Sequence, residues 1–236
     1  MRLAWIAATF LVARVAVAQT GSVEVRAGRP VLSAPAQATV AAYEARVAPL
    51  LARFAAIRPD LALAHNIAER VAVEQGLREA LPDFGELGLG EADRNAATVA
   101  IWSRLHAVDA ANTAFLKSVL PADGWFRRSR DGDEVAHGAW LLVQHSPDRA
   151  FMAEIVERMG PLARVGEVRG ADYALLYDRT EGHAGRPQYY GSQYGCEKGR
   201  WVPDPIRDPA GVDGRRRALG MDGMAENAAR MNRRGC

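Results

Sequence analysis

The residues best suited to chemistry lie in the second half of the chain. Trp140-Leu-Leu-Val-Gln-His145 is followed by Leu176-Tyr-Asp178-Arg179, and then by Gly185-Arg-Pro-Gln188-Tyr-Tyr190-Gly-Ser-Gln193. An imidazole accepts or donates a proton near neutral pH, so His145 is the candidate acid–base group, with Asp178 as the carboxylate that could orient it. Gln188 and Gln193 cannot transfer protons. Their amides would recognise a polar ligand or polarise a carbonyl, with Tyr190 as an amphipathic wall. Arg179, Trp125, Asp109 and Asn112 complete the candidate binding set. The same residues have an architectural reading, in which His145 caps the end of a helix, Asp178 and Arg179 form an ion pair, and the glutamines satisfy backbone groups of a turn. Sequence supplies no distance between them, so both readings stay open at this stage.

Other chemistries find less support. His137 and His145 are two helical turns apart, about 12 Å along an axis, too far to share one ion. His65 with Glu69, and His106 with Asp109, have helical spacing for co-ligation but no third ligand in view. No metal and no cofactor is therefore expected. A nucleophile elbow, a phosphate-cradling loop with lysine and a dinucleotide fingerprint are all missing from the sequence. Ser192 has no adjacent base.

The start of the chain points to export. Arg2 precedes an apolar run, and Ala16-Val17-Ala18 forms a small-x-small cleavage site, so residues 1–18 read as a signal peptide and the mature chain as beginning at Gln19. The run is too short to span a bilayer, which needs about 20 apolar residues, so an integral membrane protein is not expected. Cleavage removes Arg2 and Arg14 and leaves 28 basic residues against 28 acidic ones. That balance argues against nucleic acid or an anionic membrane as the main partner, because both select an electropositive face. The cluster Arg215-Arg216-Arg217 accordingly reads as solvated helix surface. An oxidising compartment would let the two cysteines, Cys196 and Cys236, pair; a terminal cysteine could equally stay free or link two chains.

The elements that must position these residues are mostly helical. Residues 19–37 read as a flexible lead segment and 38–236 as a single helical domain. Apolar spacings of three and four predict helices over 38–57, 61–81, 91–120, 133–145, 148–165 and 171–180, with short ones over 209–219 and 223–233. Pro59 and Pro82 stop the first two, and Asp60 is placed to cap the second. Asp109 and Asn112 interrupt the buried stripe of the longest helix, either as wet boundary positions or as groups pointing into a polar cavity. Residues 127–133 read as a charged loop. From 186 to 206 glycine, proline and tyrosine disfavour helix and predict a hairpin turning near Cys196 to Gly199. The expected class is mainly α: a multi-helix globular domain with one short β-hairpin in the C-terminal third.

Several segments together resemble an uncharacterised bacterial domain family of unknown function. They are Asp109-Ala-Ala-Asn112-Thr113, Gly124-Trp125, Trp140 to His145, Leu176 to Arg179, Gly185 to Gln193, and Val212-Asp213-Gly-Arg215-Arg216 through Gly220-Met221. The resemblance covers roughly residues 105–232. Phe126, Ser192 and Met221 depart from its pattern of proline, threonine and leucine. It implies no activity. Two functions are open: an exported protein whose polar pocket binds or processes a small polar ligand, or a non-catalytic module that docks another envelope protein.

Overall fold

The structure, a computed structural model, describes residues 32–233 and Cys236. The expected signal peptide, and the lead segment up to residue 31, lie outside the described residues. Helix α1 spans Ala34–Ala55, starting four residues before the predicted position. Ser33 accepts a hydrogen bond from the Ala36 backbone and caps it, and Pro35 is tolerated in a first turn, where its missing N–H has no partner to lose. Helix α2 spans Leu63–Glu79 without a side-chain cap at Ala62. Asp60 does not cap it as expected: its carboxylate is held by the Arg58 guanidinium instead. Helix α3, Glu91–Val119, crosses both, with Glu91 and Asp93 at its positive end.

Where a charged loop was expected, Arg128–Asp131 forms a single turn, α4. Gly132, at φ 91°, then reverses the chain into α5, Asp133–Val143. Asp148 caps α6, Arg149–Arg164, by accepting from Phe151 N, and α7 follows over Gly170–His183. Strands β1, Tyr194–Glu197, and β2, Arg200–Pro203, pair antiparallel with Cys196 opposite Trp201. Lys198 and Gly199, both at positive φ, make the two-residue turn that the twist of a hairpin favours. A 3-10 turn over 209–211 leads into α8, Val212–Ala218, and α9, Met224–Met231, closes the described chain. A disulfide joins Cys196 to Cys236, and Asn232 bonds both backbone groups of Trp201, so the chain end is pinned to the hairpin.

Burial divides the apolar side chains into two clusters. One lies among α1, α2 and the first half of α3, around Tyr43, Val47, Leu77, Ile101 and Leu105. The other joins α5, α6 and α7 to the end of α3, around Leu116, Trp125, Leu142, Met152 and Leu176. Helix α2 reaches the second cluster through Ile67, and it approaches α5 closely because Gly138 has no side chain. A Cβ there would lie 2.5 Å from Ile67 Cγ2. No helix among the described residues is long and apolar enough to cross a membrane.

Candidate functional site

Between the two apolar clusters runs a polar seam, and the helices build it by simple spacing. On α2 the residues Ile67, Arg70, Glu74 and Arg78 are three or four apart and share one face. On α3, Asp109, Asn112 and Thr113 lie between the Val108 and Leu116 contributions to the two clusters. Helix α5 stops at Val143, so His145 and Ser146 leave the helix and turn into the same seam. Helix α7 adds Arg179, whose Nη1 donates to the Gln144 carbonyl at 3.0 Å.

The contacts are tight and mostly charged. Arg78 donates through Nη2 to both oxygens of Asp109, at 3.0 and 2.9 Å, and through Nη1 meets Oε1 of Glu74. His145 Nδ1 lies 2.5 Å from that same Glu74 oxygen, and Gln75 donates to the other. Arg70 Nη1 donates to Asn112 Oδ1 at 3.1 Å, its guanidinium lying 4.1 Å from the centre of the Phe115 ring. The side chains of Glu74, Arg78 and Asp109 are each at most 4 % exposed. The Asn112 amide nitrogen is buried and has no hydrogen-bond acceptor among the described residues.

Burial sets the protonation states. It pushes Glu74 up to about 7 and Asp109 up to about 6, against the pull of Arg78. Burial, reinforced by Arg78 and Arg179, holds His145 well below the usual imidazole value, so it is neutral. A guanidinium can only donate, so with Glu74 ionised its Oε1 is the negative end of its contacts with both Arg78 and His145 Nδ1. The geometry is that of a neutral imidazole set against a carboxyl group poised between its two states.

The other sequence-predicted residues sit elsewhere. Asp178 does not orient His145, and no ion pair joins it to Arg179. Its carboxylate accepts from the backbone N–H groups of Tyr189, Tyr190 and Ser192 and from the Ser192 hydroxyl, at 2.7 to 3.2 Å. Gln188 closes the same loop: its amide donates to the carbonyls of Gln193 and Asp204 and accepts from Gln193 N. Gln193 donates to the Leu175 carbonyl. Tyr190 is buried among Tyr173, Tyr177 and Tyr189. Trp125 is a core side chain, edge-on to Phe126. Nor is the arginine cluster solvated surface. Arg216 is buried and donates to the Tyr190 and Asp222 carbonyls, Arg215 stacks on Tyr189 and bonds its carbonyl, and only Arg217 is exposed. The structure thus brings together His145, Asp109, Asn112 and Arg179, and commits Asp178, Gln188, Gln193 and Tyr190 to a loop clamp. Of the remaining histidines, His137 bonds Asp172 at 2.8 Å and His65 lies 3.9 Å from Glu69. Among the described residues no three His, Cys, Asp or Glu side chains converge as metal ligands.

A family model described as "Family of unknown function (DUF6624)" matches residues 84–233. The chain belongs to this family. The DUF6624 match contains the whole loop clamp and six members of the seam, Asp109, Asn112, Thr113, His145, Ser146 and Arg179. It begins after α2, so Arg70, Glu74 and Arg78, which complete the seam, come from outside the matched residues. Those three were missed in the sequence reading. The available signal was a row of alternating charges at 70, 74 and 78 on the face that also carries Ile67. No curated protein and no solved structure matches the chain.

Proposed function

We propose that this DUF6624 chain is an exported protein in which the buried seam binds a small polar ligand, with His145 and Glu74 as its acid–base pair. The observation that carries this reading is the contact between His145 Nδ1 and Glu74 Oε1 inside a seam shared by Arg78 and Asp109. Burying several ions costs on the order of several kcal/mol each before pairing, and well-packed apolar residues would hold two helical clusters together at least as well. Buried titratable groups with shifted pKa values in contact with one another are a recurring feature of acid–base sites. The unpaired Asn112 amide adds a donor with nothing in the described fold to receive it. Export is supported by the leader-like start of the sequence and by the Cys196–Cys236 disulfide, a bond that persists in oxidising compartments.

A docking module would instead present a contiguous apolar face. The large apolar side chains exposed among the described residues are Val99, Val165 and Val202, one each on α3, after α6 and on β2.

The test is a thermal-shift screen of the purified chain against sugars, amino acids and small organic acids, run beside His145→Asn and Glu74→Gln. The expected result is a rise in Tm with at least one compound that both variants lose, while neither variant's own urea midpoint falls far below that of wild type. If both variants unfold easily and no compound acts through His145, the seam is architectural and the proposal falls.

A further inference from the structure

Beside the seam, α7 and the start of α6 carry positive charge. Arg179 is half-buried and is anchored by one nitrogen to the Gln144 carbonyl, directly before His145. The charge of Glu74 acts on Arg179, but its carboxylate lies directly against Arg78, His145 and Gln75. Asp178, its chain neighbour, is spent on the loop clamp. One helical turn further along α7 stands His183, on the same face as Arg179, and α6 contributes Arg149 at its first position. The charges of Arg149 and Arg179 both act on His183 and add to burial in holding it below the usual imidazole value. Among the described residues none of the three has a carboxylate within ion-pair reach. By contrast Arg53, Arg104, Arg128, Arg158, Arg169 and Arg230 each rest on one.

We propose that Arg179, with Arg149 and His183 beside it, receives an anionic oxygen group of the ligand, a carboxylate or a phosphate, and presents the adjoining part of that ligand to His145. This rests on the acid–base reading of the seam and names its substrate class. A guanidinium held at one nitrogen keeps its remaining N–H groups in a fixed plane, which matches two oxygens of a carboxylate or phosphate. Lysine could not do the same. The neighbouring Arg149 and His183 raise the local potential and so favour capture of an anion.

The experiment is calorimetric titration of the full chain, at constant ionic strength, with succinate and with inorganic phosphate as separate probes. Arg179→Gln, Arg179→Lys, Arg149→Gln and the exposed control Arg217→Gln are titrated in parallel, with circular dichroism to confirm folding. At least one probe should bind saturably. Arg179→Gln should weaken it about tenfold or more, the cost of one lost charged hydrogen-bonded pair. Arg179→Lys should recover only part of the loss, Arg149→Gln should weaken binding less, and Arg217→Gln should leave it unchanged. Preference for succinate or phosphate assigns the group. The proposal is overturned if neither probe saturates, or if folded Arg179→Gln binds like wild type. Failure here is separable from failure of the acid–base reading. A neutral compound that needs His145 but not Arg179 would defeat the anion assignment alone, whereas probe binding that survives in His145→Asn would uphold the anion edge without the acid–base role.

Discussion

Glu74→Gln removes a titrating carboxyl group while keeping its shape, and its effect on the pH dependence of stability can be worked out from the seam. Burial raises the folded-state value from 4.5 to about 7. The unfolded chain therefore releases this proton near 4.5, while the folded chain keeps it to about 7. Across that window the folded state binds more protons, so stability falls as pH rises, and the loss is complete above the folded value. At about 1.4 kcal/mol per unit, the full loss is about 3 kcal/mol. Asp109, raised to about 6, acts in the same direction. His145 acts oppositely: it stays neutral in the fold while the unfolded chain takes up a proton below 6.5, so its contribution grows as pH rises towards that value. Both remain in the variant and largely cancel when wild type and Glu74→Gln are compared. The assay is urea unfolding followed by helical circular dichroism, in half-unit steps from about pH 4.5 to 8. The stability of wild type relative to the variant should drop by about 3 kcal/mol across this range. A difference flat to within about 0.5 kcal/mol, near the error of the extrapolation, would refute the idea that burial holds this proton in the seam.

Three further outcomes follow from the packing. Asp178→Asn, which leaves a neutral amide facing four donors, should cost on the order of 2 to 3 kcal/mol in urea unfolding and raise amide exchange at Tyr189, Tyr190 and Ser192. Gly138→Ala should cost about 1 to 3 kcal/mol by forcing Ile67 aside, and the added change Ile67→Val should recover part of that, as a double-mutant cycle would show. Cys196→Ser opens a loop with a sequence separation of 40, which should lower stability by about 4 kcal/mol in the chain-entropy view, with thermal unfolding of wild type in reductant shifting likewise.

How much of this was legible in the sequence depends on the range of the interaction. The helices were readable because apolar spacing, prolines and first-turn acids act within one or two turns of chain, and the hairpin because Lys198 and Gly199 must bend within two residues. Errors at this level were local too: Ser33 started α1 earlier than the apolar stripe does, and Asp60 found Arg58 closer than the α2 backbone. The concentration of His, Asp, Arg and Gln between 140 and 193 was equally visible, but not its division into two structures. His145 meets Glu74 and Asp109 meets Arg78, pairs 71 and 31 residues apart in sequence, and only the packing of α2 against α3 and α5 brings them together. Asp178, by contrast, is adjacent in sequence to Arg179 and turned towards a different partner, because successive residues of a helix point about 100° apart. The sequence by itself determined the elements and the kinds of group available. Which side of α7 would carry chemistry and which would hold the C-terminal loop was decided by tertiary structure, since the cost of burying a charge depends on what the rest of the chain places beside it.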